Sequence, residues 1–99
     1  MSYQVRFTGQ AREDLLRLFR FLAEEDRQAA SHARQAIGKA TDLLADFPFT
    51  CRKATPDDPF LRELVIPFGQ SGYVALFEIE NRETVTVLAI RHQREDDYS

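Results

Sequence analysis

The chain has 99 residues, of which 43% are hydrophobic and 29% charged, and its formal net charge is -3. This length predicts one domain spanning residues 1–99, and the composition excludes an intrinsically disordered chain. The negative charge argues against non-specific binding to duplex nucleic acid, because such binding depends on neutralising phosphates. Of the 13 basic residues only Lys39 and Lys53 are lysines, and arginine suits protein interfaces and phosphate or carboxylate recognition.

Cys51 is the single cysteine of the sequence, which excludes an intramolecular disulfide and a cysteine-based metal site. No apolar stretch approaches the roughly 20 residues that span a bilayer. The N-terminal sequence MSYQVRF also lacks the apolar run of a signal peptide. We therefore expect a cytoplasmic protein with no cofactor, no bound metal and no membrane association.

The chain opens with a strand pattern that is followed by a helix pattern. Tyr3, Val5 and Phe7 alternate with polar residues, which is the period of a half-buried strand. Thr8 stands at the position of a helix N-cap, and residues 10–25 show helical periodicity. The apolar face of this predicted helix is broad: it comprises Ala11, Leu15, Leu18 and Leu22, widened by Leu16, Phe19 and Ala23.

A second helix is predicted over residues 27–46, after an acidic link at residues 24–26. Its apolar residues recur every three or four positions and begin with alanines, which permit close approach of a partner helix: Ala30, Ala33, Ile37, Ala40, Leu44 and Phe47. Two helices with a short link form an antiparallel αα-hairpin, and Pro48 ends it.

The second half of the chain predicts a sheet. Residues 48–59 contain three prolines and indicate an irregular connection. Strands are then predicted over residues 60–68, 73–79 and 84–90, and their short links make them a three-stranded antiparallel meander. We expect the N-terminal strand to join this sheet at an edge or beside the last strand. The predicted fold class is α+β, with the helices packed on one face of the sheet.

Familiar enzyme motifs are absent from the sequence: there is no Gly-rich phosphate loop, His/Cys metal spacing or Ser-His-acid arrangement. His32 lies off the apolar stripe of the second helix and is expected at the surface. On the last strand, alternation places four side chains on one face: Thr86, Leu88, Ile90 and His92.

Arg62 and Glu63 interrupt the apolar run over residues 60–66. The plain structural interpretation is that the two side chains point to opposite sides and that one bonds to a neighbouring strand. Alternatively, Arg62, His92 and Arg94 converge at one end of the sheet, where they could bind phosphate or carboxylate groups.

The same groups could support RNA cleavage. His92 could act as acid or base, Arg62 and Arg94 could stabilise charge, and Tyr98 could assist. The alternative for Tyr98 is an ordinary residue of the chain's tail. The acidic residues Glu95-Asp96-Asp97 would repel an RNA backbone, which counts against cleavage.

Four segments, taken in chain order, carry a family resemblance. They are Tyr3-x-Val5-x-Phe7-Thr8-x-x-Ala11-x-x-Asp14-Leu15; Leu43-Leu44-Ala45-Asp46-Phe47-Pro48; Leu61-Arg62-Glu63-Leu64 with Gly72-Tyr73-Val74-Ala75-Leu76-Phe77-Glu78-Ile79; and Val85-x-Val87-Leu88-Ala89-Ile90-Arg91-His92-Gln93-Arg94. Together they resemble the bacterial RelE/ParE toxins over nearly the whole chain, and the long helical hairpin resembles the ParE branch. Two segments depart from the family pattern: Gly72-Tyr73-Val74 lacks an arginine that many relatives carry, and Cys51-Arg52-Lys53 replaces the commoner Gly-Arg.

The resemblance implies a toxin of a type II toxin–antitoxin system of the plasmid-stabilisation kind. A cognate ParD-like antitoxin would neutralise it by direct binding in a hetero-oligomer. ParE-like toxins inhibit DNA gyrase without a known catalytic residue, whereas RelE-like toxins cleave mRNA in the ribosome. The negative net charge of the chain and the small number of basic residues in its middle favour gyrase over the ribosome as the target. A ribosome-dependent mRNA endoribonuclease and an inactive antitoxin-binding module are the alternatives.

Candidate site residues follow from this interpretation. We expect the target to contact Arg52, Lys53, Arg62, Arg91 and Arg94. We expect the antitoxin to contact Leu16, Phe19 and Phe21, because a broad apolar hairpin on a thin sheet leaves an exposed patch. The nuclease alternative would use Arg62, His92, Arg94 and Tyr98, whereas the gyrase inhibitor needs no catalytic residue.

Overall fold

The computed structural model describes residues 2–69 and 71–93. Its elements follow in the order β1 (Gln4–Phe7), α1 (Gly9–Glu25), α2 (Arg27–Asp46), β2 (Arg52–Thr55), β3 (Asp58–Phe68), β4 (Ser71–Ile79) and β5 (Thr84–His92), with one turn of 3-10 helix, Pro48–Thr50, after α2. The predicted α+β architecture is confirmed, because a strand, a helical hairpin and antiparallel strands build one sheet. In the part of the chain so described, no helix is long and apolar enough to cross a membrane.

Short polar side chains set the helix boundaries. Thr8 is the predicted N-cap of α1, and its side-chain oxygen accepts a hydrogen bond from the Ala11 backbone N–H at 3.1 Å. Asp26 alone separates the helices. Its N–H donates to the Leu22 carbonyl at 2.7 Å, which ends α1, and its carboxylate accepts from the Gln28 N–H at 2.9 Å, which starts α2. The two helices are therefore joined by one residue that serves both.

The buried face of the hairpin is narrower than the sequence predicted. Ala11 and Leu18 of α1 are buried, as are Ala33, Ile37 and Leu44 of α2. The small alanines allow the helices to approach each other and the sheet closely. Two residues assigned to the wider face of α1, Leu16 and Ala23, are exposed, because the helices are covered on one side only.

The connection after α2 contains a strand that the sequence analysis missed. Residues 48–59 were expected to be irregular, but Arg52–Thr55 forms β2, which pairs antiparallel with β3 at the edge of the sheet. Three of its four residues are exposed. A strand with solvent on most sides carries no apolar alternation, so periodicity could not reveal it.

The five strands lie in the order β1-β5-β4-β3-β2. Neighbours from β2 to β5 run antiparallel, as a meander extended by one strand, and β1 pairs parallel with β5. The N-terminal strand thus lies at an edge and beside the last strand, as expected. The buried cluster combines the hairpin stripe with one face of the sheet: Leu64, Ile66, Tyr73, Ala75, Phe77, Ile79, Val85, Val87 and Ile90. We call this the helix-side face and its reverse the outer face.

A β-bulge in β5 corrects one prediction. The register moves from Leu76↔Ala89 to Phe77↔Val87, so that Leu88 is the extra residue. Because directly paired residues share a face, Thr86 lies on the outer face, whereas Ile90 and His92 lie on the helix side. The expectation that Thr86, Ile90 and His92 share one face is therefore wrong, since strict alternation does not survive an extra residue.

Candidate functional site

Arg62 acts as a clamp on the connection that follows α2. Its Nε donates to the Pro59 carbonyl at 2.7 Å, and one terminal nitrogen donates to the carbonyls of Cys51 at 2.7 Å and Phe49 at 3.2 Å. The guanidinium also lies 5.3 Å from the centroid of the Phe49 ring. The planar guanidinium thus donates to three backbone carbonyls at once, which is a structural role that suits arginine.

The plain interpretation of the Arg62-Glu63 pair is the one that the structure supports. Arg62 is opposite Phe77 and therefore lies on the helix side, whereas Glu63 lies on the outer face. Glu63 accepts a hydrogen bond from Nε of Arg52 on β2 at 3.1 Å. The two charges point to opposite sides, and each has a partner close by.

His92 ends β5 at the other end of the sheet. It is opposite Tyr73, and the two rings meet edge to face with centroids 5.8 Å apart. Burial raises the pKa of the Tyr73 phenol above its ordinary value. His92 and Tyr73 border a groove of about 220 Å³ that Leu18, Phe21 and Phe68 also line.

The structure does not bring Arg62 and His92 together. Arg62 is four residues from Ile66 on β3, and Ile66, Tyr73 and His92 are successive cross-strand partners. At ~3.3 Å per residue and ~4.8 Å per strand spacing, Arg62 and His92 are roughly 16 Å apart. The alternative in which Arg62 and His92 converge at one end of the sheet is therefore wrong, because it required β3 and β5 to be neighbours or diagonal, whereas β4 lies between them. Arg94 and Tyr98, the other candidate catalytic residues, and the acidic segment 95–97 lie outside the described residues.

The candidate target-binding residues are divided between the two faces of the sheet. Arg52 and Arg91 lie on the outer face, since they are paired with Glu63 and Val74. Lys53 and Arg62 are paired with each other on the helix side. Arg52 and Lys53 are exposed, whereas Arg91 is half-buried and donates to the backbone carbonyl of its neighbour His92 at 3.2 Å. A target bound to the outer face could therefore contact Arg52 and Arg91, but it could not also contact Lys53 and Arg62 on the opposite face.

The outer face carries no helix in the described part of the chain, and its middle is apolar. Val74 and Ala89 are 2% and 5% exposed although they point away from the hairpin. Leu76 lies between them, and the charged groups Arg52, Glu63, Glu78 and Arg91 surround this apolar centre. Because Val74 and Ala89 are buried, a protein bound to this face would meet chiefly the charged groups around them and be held by charge pairing.

The candidate antitoxin-binding residues occupy two sides of α1. Leu16 and Phe21 are 54% and 61% exposed, whereas Phe19 packs against the core with the Arg34 guanidinium 5.3 Å from its ring centroid. At ~100° per residue, Leu16 and Phe21 point about 140° apart around the helix. Phe21 borders the His92 groove, and Leu16 lies nearer to Phe19.

Sequence reasoning missed further exposed apolar side chains. Phe47, Phe49 and Phe60 are 59%, 47% and 50% exposed and cluster around the prolines of the connection after α2. Leu43 and Val65 border a groove of about 440 Å³ between α2 and β3. The sequence signal that could have indicated this exposed surface was the position of large apolar residues beside prolines, because an irregular connection buries such side chains poorly. Within residues 2–69 and 71–93, no three His, Cys, Asp or Glu side chains are placed to hold a metal ion.

Comparison with known proteins identifies the family. Residues 5–97 match the family model described as the ParE toxin of the type II toxin–antitoxin system, parDE. Over 79 residues the chain is 34% identical to Toxin RelE1 of Caulobacter vibrioides. The aligned segment covers 80% of this chain and 82% of that protein.

A solved structure shares the fold. The structure titled "Chromosomal ParDE TA system from P. aeruginosa" superimposes with a TM-score of 0.68 at 16% identity, covering 92% of this chain and 96% of the other. At that identity the match concerns the fold alone. The family model extends over almost the whole sequence, and the match to a curated relative agrees with it. This chain therefore belongs to the ParE toxins of type II toxin–antitoxin systems, within the RelE/ParE superfamily.

Proposed function

We propose that this toxin inhibits DNA gyrase by stoichiometric binding and performs no RNA cleavage. The observation that carries the proposal is the separation of the described nuclease candidates. Arg62 is bonded to three backbone carbonyls, and His92 lies about 16 Å away beside Tyr73. RNA cleavage needs the acid or base and the charge-stabilising cation at the same phosphate, and the bonds of Arg62 hold its guanidinium away from His92. A toxin directed at gyrase would act in the cytoplasm.

A gyrase assay beside a ribosome assay tests the proposal. Purified toxin is titrated into a supercoiling reaction, with and without an equimolar amount of its antitoxin. We expect inhibition of supercoiling near the stoichiometry of gyrase, and full relief by the antitoxin. In parallel, primer extension on translated mRNA should show no new cleavage sites. Cleaved mRNA with unaffected gyrase would reverse the conclusion.

His92→Ala separates binding from catalysis. If His92 were the acid or base of a nuclease, its removal would lower the cleavage rate by about 10²-fold or more. A gyrase inhibitor that does not use His92 should keep its inhibitory concentration within about threefold, a change of roughly 0.6 kcal/mol. Growth arrest by the expressed variant gives the same comparison in cells.

The ribosome-dependent nuclease is the second candidate, and the name of the 34% identical relative, Toxin RelE1, favours it. The third candidate is an inactive antitoxin-binding module. Expression without the antitoxin distinguishes this last candidate, because a module that only binds the antitoxin should leave growth unchanged.

We also propose that a cognate ParD-like antitoxin covers the exposed apolar residues of α1, Leu16 and Phe21, and reaches Phe19. Exposed apolar patches mark partner sites, and an amphipathic segment of the antitoxin would bury them. Leu16→Glu and Phe21→Glu should each weaken the complex by about tenfold or more. Gln28→Glu, an exposed position on α2 that introduces the same charge, is the matched control. Equal losses for the control would contradict the assignment.

A further inference from the structure

An aromatic–acidic cleft lies at the end of the sheet remote from His92. It has a volume of about 560 Å³, and its aromatic and acidic lining residues are Tyr3, Phe49, Asp58, Phe60, Glu78 and Glu80. Tyr3 precedes β1, and Phe49 belongs to the 3-10 turn. Asp58 and Phe60 come from the start of β3, Glu78 comes from the end of β4, and Glu80 follows β4. Its volume suits one or two side chains of a partner rather than a whole helix.

The floor of the cleft is an exposed aromatic pair. Phe49 and Phe60 are 47% and 50% exposed, and their rings meet edge to face with centroids 6.2 Å apart. The Arg62 clamp holds the Phe49 carbonyl and lies against the Phe49 ring, so this half of the pair is fixed in place. When an apolar side chain of a partner covers a fixed, solvent-exposed aromatic surface, burial of both apolar surfaces stabilises the complex.

The rim of the cleft is negatively charged. Three carboxylates, Asp58, Glu78 and Glu80, line it against one guanidinium, that of Arg82. Two of the carboxylates are oriented in advance: Asp58 accepts from the Phe60 N–H at 2.9 Å, and Glu80 accepts from the Thr86 hydroxyl. Each keeps further lone pairs for a second donor. Phosphates would be repelled here, whereas a cation would find both carboxylates and aromatic faces.

We propose that the aromatic–acidic cleft binds a short basic, apolar segment of another polypeptide, with an arginine or lysine among the carboxylates and a bulky apolar side chain on Phe49 and Phe60. The charge of the rim selects the cation, and the exposed rings select the apolar neighbour.

The cleft is separate from the His92 groove, although it shares Glu78 with the border of the outer face. Ile79, which lines it, is six residues from Tyr73 along β4, a distance of about 20 Å from the His92 groove. An occupant of the cleft and a partner on Phe21 could therefore bind together, and gyrase inhibition is not needed to detect binding here.

Fluorescence anisotropy with a designed peptide tests the proposal on the full-length chain. The probe is a fluorescein-labelled heptapeptide of alternating arginine and leucine, and its controls replace arginine by glutamate or leucine by serine. We expect saturable binding of the probe, with at least about tenfold weaker binding of both controls. Added salt should weaken the probe's binding, because the rim attraction is electrostatic.

Variants locate the binding site. Phe60→Ala should weaken binding of the probe by about tenfold or more, and so should the double variant Asp58→Asn with Glu80→Gln. Leu43→Ala on α2 and Glu24→Gln on α1 remove exposed groups of the same kinds and should leave affinity unchanged. Circular dichroism checks that each variant folds, and Asp58→Asn keeps the acceptor for Phe60.

Three outcomes would overturn the proposal. One is absence of binding up to about 1 mM probe. Another is equal loss of affinity in the two control variants, Leu43→Ala and Glu24→Gln. The third is sedimentation of the chain as a dimer that Phe60→Ala dissociates, since the occupant would then be a second copy of the chain.

Discussion

Asp14 is a buried carboxylate whose partner is a backbone group of a distant strand. It is 5% exposed, and it accepts hydrogen bonds from the Ile90 N–H and from the Gln10 side chain, both at 2.9 Å. Pairing of β1 with β5 stops at Val87, so the strand neighbour that would accept from Ile90 is missing. Asp14 replaces that neighbour and ties α1 to the sheet.

Asp14→Ala should lower the free energy of unfolding by about 1–3 kcal/mol, because the buried Ile90 N–H loses its acceptor. Asp14→Asn keeps an acceptor oxygen and should cost less. Urea denaturation followed by circular dichroism measures both. The adjacent exposed Glu13→Ala is the control, and an equal effect of Glu13→Ala would contradict the assignment.

Arg62 can be tested as a structural residue by comparing stability with toxicity. Arg62→Ala leaves three carbonyls without their donor and should lower stability by about 1–3 kcal/mol. Arg62→Lys restores the charge but not the fork, so it should rescue only part of that loss. Melting temperature and growth inhibition should fall together across the two variants. A stable Arg62→Lys protein without toxicity would indicate a role in contacting the target instead.

The β3–β4 hairpin depends on one close backbone approach. A Cβ added at Gly72 would lie 2.2 Å from the Ile66 carbonyl oxygen, which no contact of carbon with oxygen tolerates. Gly69, in the turn, has a φ of 61° that glycine adopts readily. The hairpin therefore needs glycine at both positions, one for space and one for conformation.

Two glycine substitutions should shift stability in opposite directions. Gly72→Ala should destabilise the fold by about 1–3 kcal/mol through the overlap with Ile66. Gly38→Ala, at an exposed site of α2 with nothing within 4 Å of the added carbon, should stabilise it by about 0.5–1 kcal/mol. Thermal and urea unfolding measure both, and a neutral Gly72→Ala would show that the hairpin can move.

Elements with strong apolar periodicity could be predicted from the sequence. Both helices, the cap at Thr8 and the three long strands follow from local patterns, and α1 begins only one residue earlier than expected. The capping role of Asp26 was not predicted, because residues 24–26 were interpreted as a link. The strand β2 could not be predicted, because Arg52 and Lys53 face solvent on both sides of an edge strand. The bulge at Leu88 was also invisible, since it depends on the partner strand.

The candidate site was predicted less well than the fold. Exposure of Leu16 and Phe21 agrees with the expected apolar patch, but their directions around α1 diverge. The side of the sheet to which Arg62, Arg91 and His92 point depends on register, which no local pattern contains. The family resemblance suggested a binding protein, whereas the positions of the binding groups required the assembled sheet.

At the scale of the molecule, charge and apolar surface are divided between the two faces and the two ends of the sheet. If the outer face contacts the target, Arg91→Ala should raise the inhibitory concentration for gyrase by about tenfold, whereas Lys53→Ala on the helix side should change it little. Arg91→Lys should recover part of the loss. Supercoiling assays on folded variants decide the matter, and a larger effect of Lys53→Ala would place the target on the helix side.

The position of β5 affects how the toxin is made. This strand is late in the chain yet lies between β1 and β4, so the sheet cannot join its two halves before residues 84–92 have left the ribosome. Until then β1 has no strand partner, and Phe77 and Ile79 of β4 lack their cross-strand neighbours Val87 and Val85. The sheet is therefore completed only at the last step of its assembly, when β5 pairs with both β1 and β4.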